Sequence, residues 1–136
     1  MSLDVSEDLL AKAEAGEVGD EEFIDCVKHS LPFAWELVSN VVADLRGGVA
    51  SSTGSTRFAD NTTPPPDEQA RGQLLRALAS DSMRGALERH FGVKLAFQNC
   101  HRVAAFPASE VDSETYRKFI SPRGQLLNQS PELRDC

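Results

Sequence analysis

Val93-Lys94-Leu95-Ala96-Phe97-Gln98-Asn99-Cys100-His101-Arg102-Val103-Ala104-Ala105-Phe106 is the stretch on which the fold class turns. Val93, Leu95 and Phe97 alternate with Lys94, Ala96 and Gln98, and a period of two means a strand, because successive side chains leave opposite faces of extended backbone. Val103, Ala105 and Phe106 suggest a second strand. If Asn99-Cys100-His101 is a three-residue turn, Phe97 faces Val103 and Leu95 faces Ala105, so the apolar residues share one side of a hairpin; a two-residue turn would set Phe97 against Arg102. Cys100 and His101 are weak turn formers and no glycine helps, so one longer strand through Cys100 stays open as the alternative.

Upstream the period changes to that of helices. Ser6 can cap a short helix in which Val5, Leu9 and Ala13 step by four until Gly16. Asp20 can cap the next, with Phe23, Ile24, Val27 and Leu31 as its stripe and Cys26 and His29 on the stripe's edge. Pro32 fits only a first helical turn, so Ser30-Leu31-Pro32 stops one helix and starts another. Ala34, Leu37, Val38, Val41, Val42 and Leu45 then form the clearest stripe in the chain, ended by Gly47-Gly48, with Trp35 as a large neighbour.

From 47 to 66 the composition turns to Gly, Ser, Thr and Pro. A connection of roughly 20 residues is long for a compact domain. The first half, 47 to 56, is expected to be mobile, and the second to be pinned by Phe58 and stiffened by Pro64-Pro65-Pro66. Past the prolines, Asp67-Glu68 supply negative charge to a helix N-terminus, and Leu74, Leu75, Leu78, Met83, Leu87 and Phe91 carry an apolar stripe that Ser80-Asp81-Ser82 can split in two. Asp112 can cap a last helix through Ile120, with Val111 and Tyr116 as a hydrophobic staple, and Pro122 stops or kinks it. The fold class is α+β, mainly α: a helical domain with a small β-hairpin or strand pair near residues 93–106. Residues 1–136 form a single domain, divided into an acidic helical segment (1–46), a Gly/Ser/Thr/Pro loop (47–66), and helices plus the strand pair (67–136).

Composition narrows the function classes. A chain of 136 residues, 40% hydrophobic and 26% charged, can bury a core without metals or disulfides. No apolar run is long enough for a membrane span, and the start Met1-Ser2-Leu3-Asp4 is acidic where a secretory signal is basic, so a cytoplasmic protein with no membrane partner is expected. Three cysteines spread widely do not make a disulfide framework. Residues 1–46 hold eleven acids against Lys12, Lys28 and Arg46, whereas 71 to 102 carry a basic excess of four. Those halves can pack on each other, and without an overall basic balance or aromatic residues among the bases, nucleic acid is disfavoured as a partner.

Phe58-Ala59-Asp60-Asn61, Arg71-Gly72-Gln73-Leu74-Leu75-Arg76-Ala77-Leu78, His90-Phe91-Gly92-Val93, Phe97-Gln98-Asn99-Cys100-His101-Arg102-Val103 and the ending Leu126-Leu127-Asn128-Gln129-Ser130-Pro131-Glu132-Leu133-Arg134-Asp135-Cys136 resemble a conserved small-protein family of Streptomyces and related actinobacteria. The resemblance covers nearly the whole chain except 47 to 57. It implies a bacterial cytoplasmic protein and carries no catalytic residue across.

Candidate chemistry is sparse. Cys26 and His29 at i and i+3 share a helical face, and Cys100 with Cys136 could complete a Cys3His tetrahedron for zinc, with His101 as substitute ligand. A Cys100 nucleophile is the other option, although neighbours on a strand point apart, so His101 would not serve as its base. Phosphate-loop, nucleophile-elbow, HExxH and dinucleotide motifs are absent from the sequence. The reading that follows is a small cytoplasmic interaction or regulatory protein rather than an enzyme, with no cofactor expected, working through a protein partner or self-association. Phe33, Trp35 and Phe106 are its aromatic anchor candidates. The alternative is a metal- or thiol-site protein using Cys26, His29, Cys100, His101 and Cys136.

Overall fold

A computed structural model describes residues 2–61, 63–99 and 101–127. The N-terminal segment is three helices, α1 (Glu7–Glu14), α2 (Asp20–Ser30) and α3 (Pro32–Arg46). A two-residue strand β1 (Ala59–Asp60) leads to the helix pair α4 (Glu68–Leu78) and α5 (Asp81–Phe91), then the hairpin β2 (Val93–Gln98) and β3 (Arg102–Pro107). A 3-10 turn, Ala108–Glu110, precedes α6 (Glu114–Ile120) and α7 (Pro122–Leu127). The α+β, mainly helical class is the one found.

The hairpin adopts the three-residue turn, pairing Phe97 with Val103 and Leu95 with Ala105. Asn99 makes it feasible by taking a left-handed backbone, φ 56°, which Asn tolerates better than most residues with a Cβ. β1 adds to the far side of β3 through Ala59–Ala105 and Asp60–Ala104, so the antiparallel sheet runs β1-β3-β2. Nothing in Ala-Asp favours a strand. The pairing holds because Phe58 stacks on Phe106 at 4.9 Å and Asn61 continues the ladder, its N–H donating to the Val103 carbonyl.

Alternation along the strands splits the core in two. Val93, Leu95, Val103 and Ala105 face α2 to α5 and join Ile24, Val27, Leu31, Val38, Val42, Leu74, Leu78 and Leu87. Ala96, Ala104 and Phe106 face the other way, onto Tyr116 and Phe119 of α6. The sheet is therefore covered on both faces by helices. Full burial of a Leu or Phe side chain contributes about 1.5–3 kcal/mol, so both layers stabilise the fold.

Several starts and stops fall where the sequence put them. Ser6 caps α1, Pro32 opens α3 in its first turn, and Ser80 caps α5 after the expected break at 80–82. Others differ. Asp20 does not cap α2: Gly19 holds that position, and the Asp20 carboxylate reaches Arg89 on α5 at 2.9 and 3.1 Å. Ser113, not Asp112, caps α6 by accepting from the Tyr116 N–H, which moves the staple positions off Val111 and Tyr116. The segment 47–56, expected to be mobile, makes hydrogen bonds at its middle. Ser51 is buried, its N–H donates to the Ser55 carbonyl, and the Ser52 N–H donates to Asp60 Oδ1 at 2.8 Å.

Candidate functional site

A groove of about 590 Å³ runs along α3. Steps of four residues return to the same side of a helix, so α3 offers two parallel rows there: Phe33, Leu37 and Val41, then Glu36, Asn40 and Asp44. The first row is apolar and forms the floor. Glu36, Asn40 and Asp44 are exposed along the rim. Val49, Ala50, Thr63, Pro64 and Pro66 make the opposite wall, where Val49 is 50% exposed. No Lys or Arg among the described residues lines it.

Both walls are held by hydrogen bonds across the chain. The N–H groups of Phe33 and Ala34, unsatisfied at the start of a helix, donate to Gln73 Oε1 on α4 at 2.8 and 3.2 Å. That buried amide substitutes for a local cap and fixes the depth of Phe33. Opposite, Asn61 clamps the β3 edge: its Nδ2 donates to the His101 carbonyl and its Oδ1 accepts from the Val103 N–H, both at 2.8 Å. Asp60, with a fully buried carboxylate, accepts from Arg102 Nε at 2.9 Å and Nη2 at 2.7 Å, and from the Ser52 hydroxyl. Arg102 Nη1 donates to Gln98 Oε1, and the guanidinium lies 4.8 Å from the Phe119 ring. This network ties the 47–56 segment, β1 and β3 together behind the groove.

The side chains singled out from sequence fall in separate places. Phe33 lies in the groove. Trp35 is half-buried against His90 and Phe91, with Lys28 Nζ 5.8 Å from its ring. Phe106 is fully buried, so its ring serves the second core layer and cannot anchor a partner. Cys26 is buried, its thiol donating to the Asp4 carbonyl at 3.5 Å, and exposed His29 Nε2 stands 3.4 Å from an Asp4 carboxylate oxygen. Both fasten the N-terminal strand of chain to α2. His101 is 3% exposed, and burial, then Arg102, then Arg71, push its pKa below the ordinary histidine value. Among the described residues no three of His, Cys, Asp and Glu gather to hold a metal, and Cys100 and Cys136 lie outside the described residues.

Glu36 and Asp44 were not singled out from the sequence. Their signal was present as Glu36-Asn40-Asp44 beside Leu37 and Val41, a polar row adjoining an apolar one. The burial of Asp60 had no sequence signal, since Arg102 is 42 residues away.

Two facts define the class: an α+β fold whose small sheet is sheathed by helices on both faces, and a wide groove with an apolar floor and an acidic rim. The model of the family described as NucS shadow ORF, in a name that begins with the letters KH, matches residues 1–136, and the chain belongs to that family. Neither the curated proteins nor the solved structures give a match.

Proposed function

We propose that this chain is a small cytoplasmic interaction or regulatory protein of bacterial origin, and that the α3 groove is its contact surface. The groove carries the reading: about 590 Å³ is within the size of ordinary binding clefts, and an apolar floor with a few polar groups on the rim is their usual composition. Phe33 supplies an aromatic anchor, the residue type that dominates interface energetics. No described helix is long and apolar enough to cross a membrane, so the membrane is not invoked as partner.

The test uses Val49→Lys, which puts a cation on an exposed position of the wall and leaves the core alone. Full-length protein, wild type and variant, is compared by native mass spectrometry for self-association and by affinity capture for partners. A species held by wild type and lost from the variant at unchanged thermal stability is expected. Identical captured sets and a monomeric wild type would refute the reading. The same native spectra decide the zinc alternative, since bound zinc adds its own mass and leaves on chelation, and the rate of alkylation of the free thiols tests the thiol alternative.

Single-stranded nucleic acid is the ligand that the letters KH would bring. Modules of that name clamp the nucleic-acid backbone with a Gly-X-X-Gly loop. This sequence contains one such tetrad, Gly16-Glu17-Val18-Gly19, and it joins α1 to α2 among Glu14, Asp20, Glu21 and Glu22. Acids at that density repel phosphate. Tight binding of a single-stranded oligonucleotide at physiological salt would replace the protein-interaction reading.

A further inference from the structure

The rows on α3 define a partner's chemistry as well as a surface. Resting on the reading that the groove is the contact surface, we infer that it receives an amphipathic, cationic helix of another protein, laid along α3. Glu36 and Asp44 are eight residues apart, which at 1.5 Å per residue sets their Cα atoms about 12 Å apart along the axis. A second helix packed side by side has the same rise. Two Lys or Arg residues seven or eight apart on it therefore meet both acids at once, while the apolar residues between them fill the floor of Phe33, Leu37 and Val41.

Electrostatics select the sign. The groove residues include Glu36 and Asp44, both exposed, and Asp60, whose carboxylate is already matched by Arg102. With no base on the described walls, the rim holds two unmatched negative charges. Residues 1–46, Glu36 and Asp44 among them, carry a net charge of −8, a long-range field of the same sign that would draw a cationic segment toward the protein. An acidic helix is repelled, and an uncharged one leaves both carboxylates facing apolar surface.

The opposite wall favours a helix over an extended strand. Strand addition needs a free row of backbone N–H and C=O groups. Pro64 and Pro66 have no N–H to offer, and the Asn61 N–H and side chain are already engaged by β3. What this wall presents is carbon: Val49, Ala50 and the proline rings. That suits side chains projecting from a rod.

The probe is an 18-residue fluorescein-labelled peptide of leucine and lysine, with leucines at helical spacing on one face, titrated against the full-length protein by anisotropy. Expected results are saturable binding, no binding by the leucine/glutamate counterpart, and at least tenfold weaker binding by a leucine/lysine peptide with two central prolines. Glu36→Lys with Asp44→Lys should weaken binding at least tenfold, whereas Glu17→Lys with Glu21→Lys, the same charge change on another exposed surface, should weaken it less than threefold. Equal losses for the two double variants, or displacement by spermine at matched charge, would show attraction by net charge alone and overturn the inference. If the peptide does not bind while Val49→Lys still abolishes natural association, the interaction reading stands and the cationic-helix inference falls.

Discussion

Replacing Arg102 by Met should be among the most damaging single changes in this protein. The Asp60 carboxylate is fully buried, and Arg102, 12% exposed, supplies two of its hydrogen bonds through Nε and Nη2. Methionine keeps much of the aliphatic stem but removes the charge, leaving a buried carboxylate with only the Ser52 N–H and hydroxyl. Stranding one partner of a buried ion pair costs about 3–5 kcal/mol, a large part of the ~5–15 kcal/mol that holds a domain folded. For a chain of this length that corresponds to a fall in Tm of roughly 10–20 °C. The assay is urea unfolding at pH 7 with hydrogen exchange on residues 51–55, whose amides should lose protection first because the Ser52–Asp60 contact anchors them. Asp60→Asn combined with Arg102→Met removes both charges, and should recover part of the loss seen in Arg102→Met alone. A single variant within 1 kcal/mol of wild type, or a double variant no more stable than Arg102→Met alone, would refute this account of the network.

Three further outcomes follow from other contacts. Gln73→Leu leaves the Phe33 and Ala34 N–H groups without their acceptor and should cost about 1–3 kcal/mol, with Glu at the same position recovering most of it, as read by thermal unfolding. Because burial and the nearby Arg102 and Arg71 lower the His101 pKa in the folded state, its contribution is intact above the unfolded value of about 6.5 and is lost as pH falls from there toward the lowered value. Unfolding free energy should drop between pH 7.5 and 5, and His101→Gln should flatten that slope; equal slopes would remove His101 from the explanation. Gly124→Ala would drive a methyl against the Lys118 carbonyl and crowd the Phe119 carbonyl and Gln98, so α7 should undock from α6 at a cost of about 1–3 kcal/mol, visible as raised exchange in residues 122–127.

Much of the architecture was legible because it is written in local periodicity. The alternation from Val93 to Gln98 and the stripe from Ala34 to Leu45 depend on whether side chains repeat every two or every 3.6 residues, and a sequence displays that directly. The hairpin register was legible only as one of two choices: a three-residue turn puts Phe97 and Leu95 opposite Val103 and Ala105, and the pairing across the sheet decided it against one longer strand through Cys100. The cap at Ser6 was legible, and so was the break at Ser80-Asp81-Ser82. The cap at Asp20 failed because the helix begins one residue earlier than read: Gly19 is the N-cap, and Asp20, inside the first turn, pairs with Arg89, 69 residues on.

Tertiary structure alone decided the rest, for one physical reason: the deciding contacts join residues far apart in the chain, and no local pattern encodes them. Ala59-Asp60 becomes a strand only because β3 offers it an edge. The segment 47–56 is hydrogen-bonded at its middle only because Asp60 and Arg102 meet behind it. Phe106 looked like a surface anchor and is buried because α6 folds back over the second face of the sheet. Phe33, Glu36 and Asp44 line a groove because the proline segment returns across α3. Within α3 itself they are simply three positions on a helix.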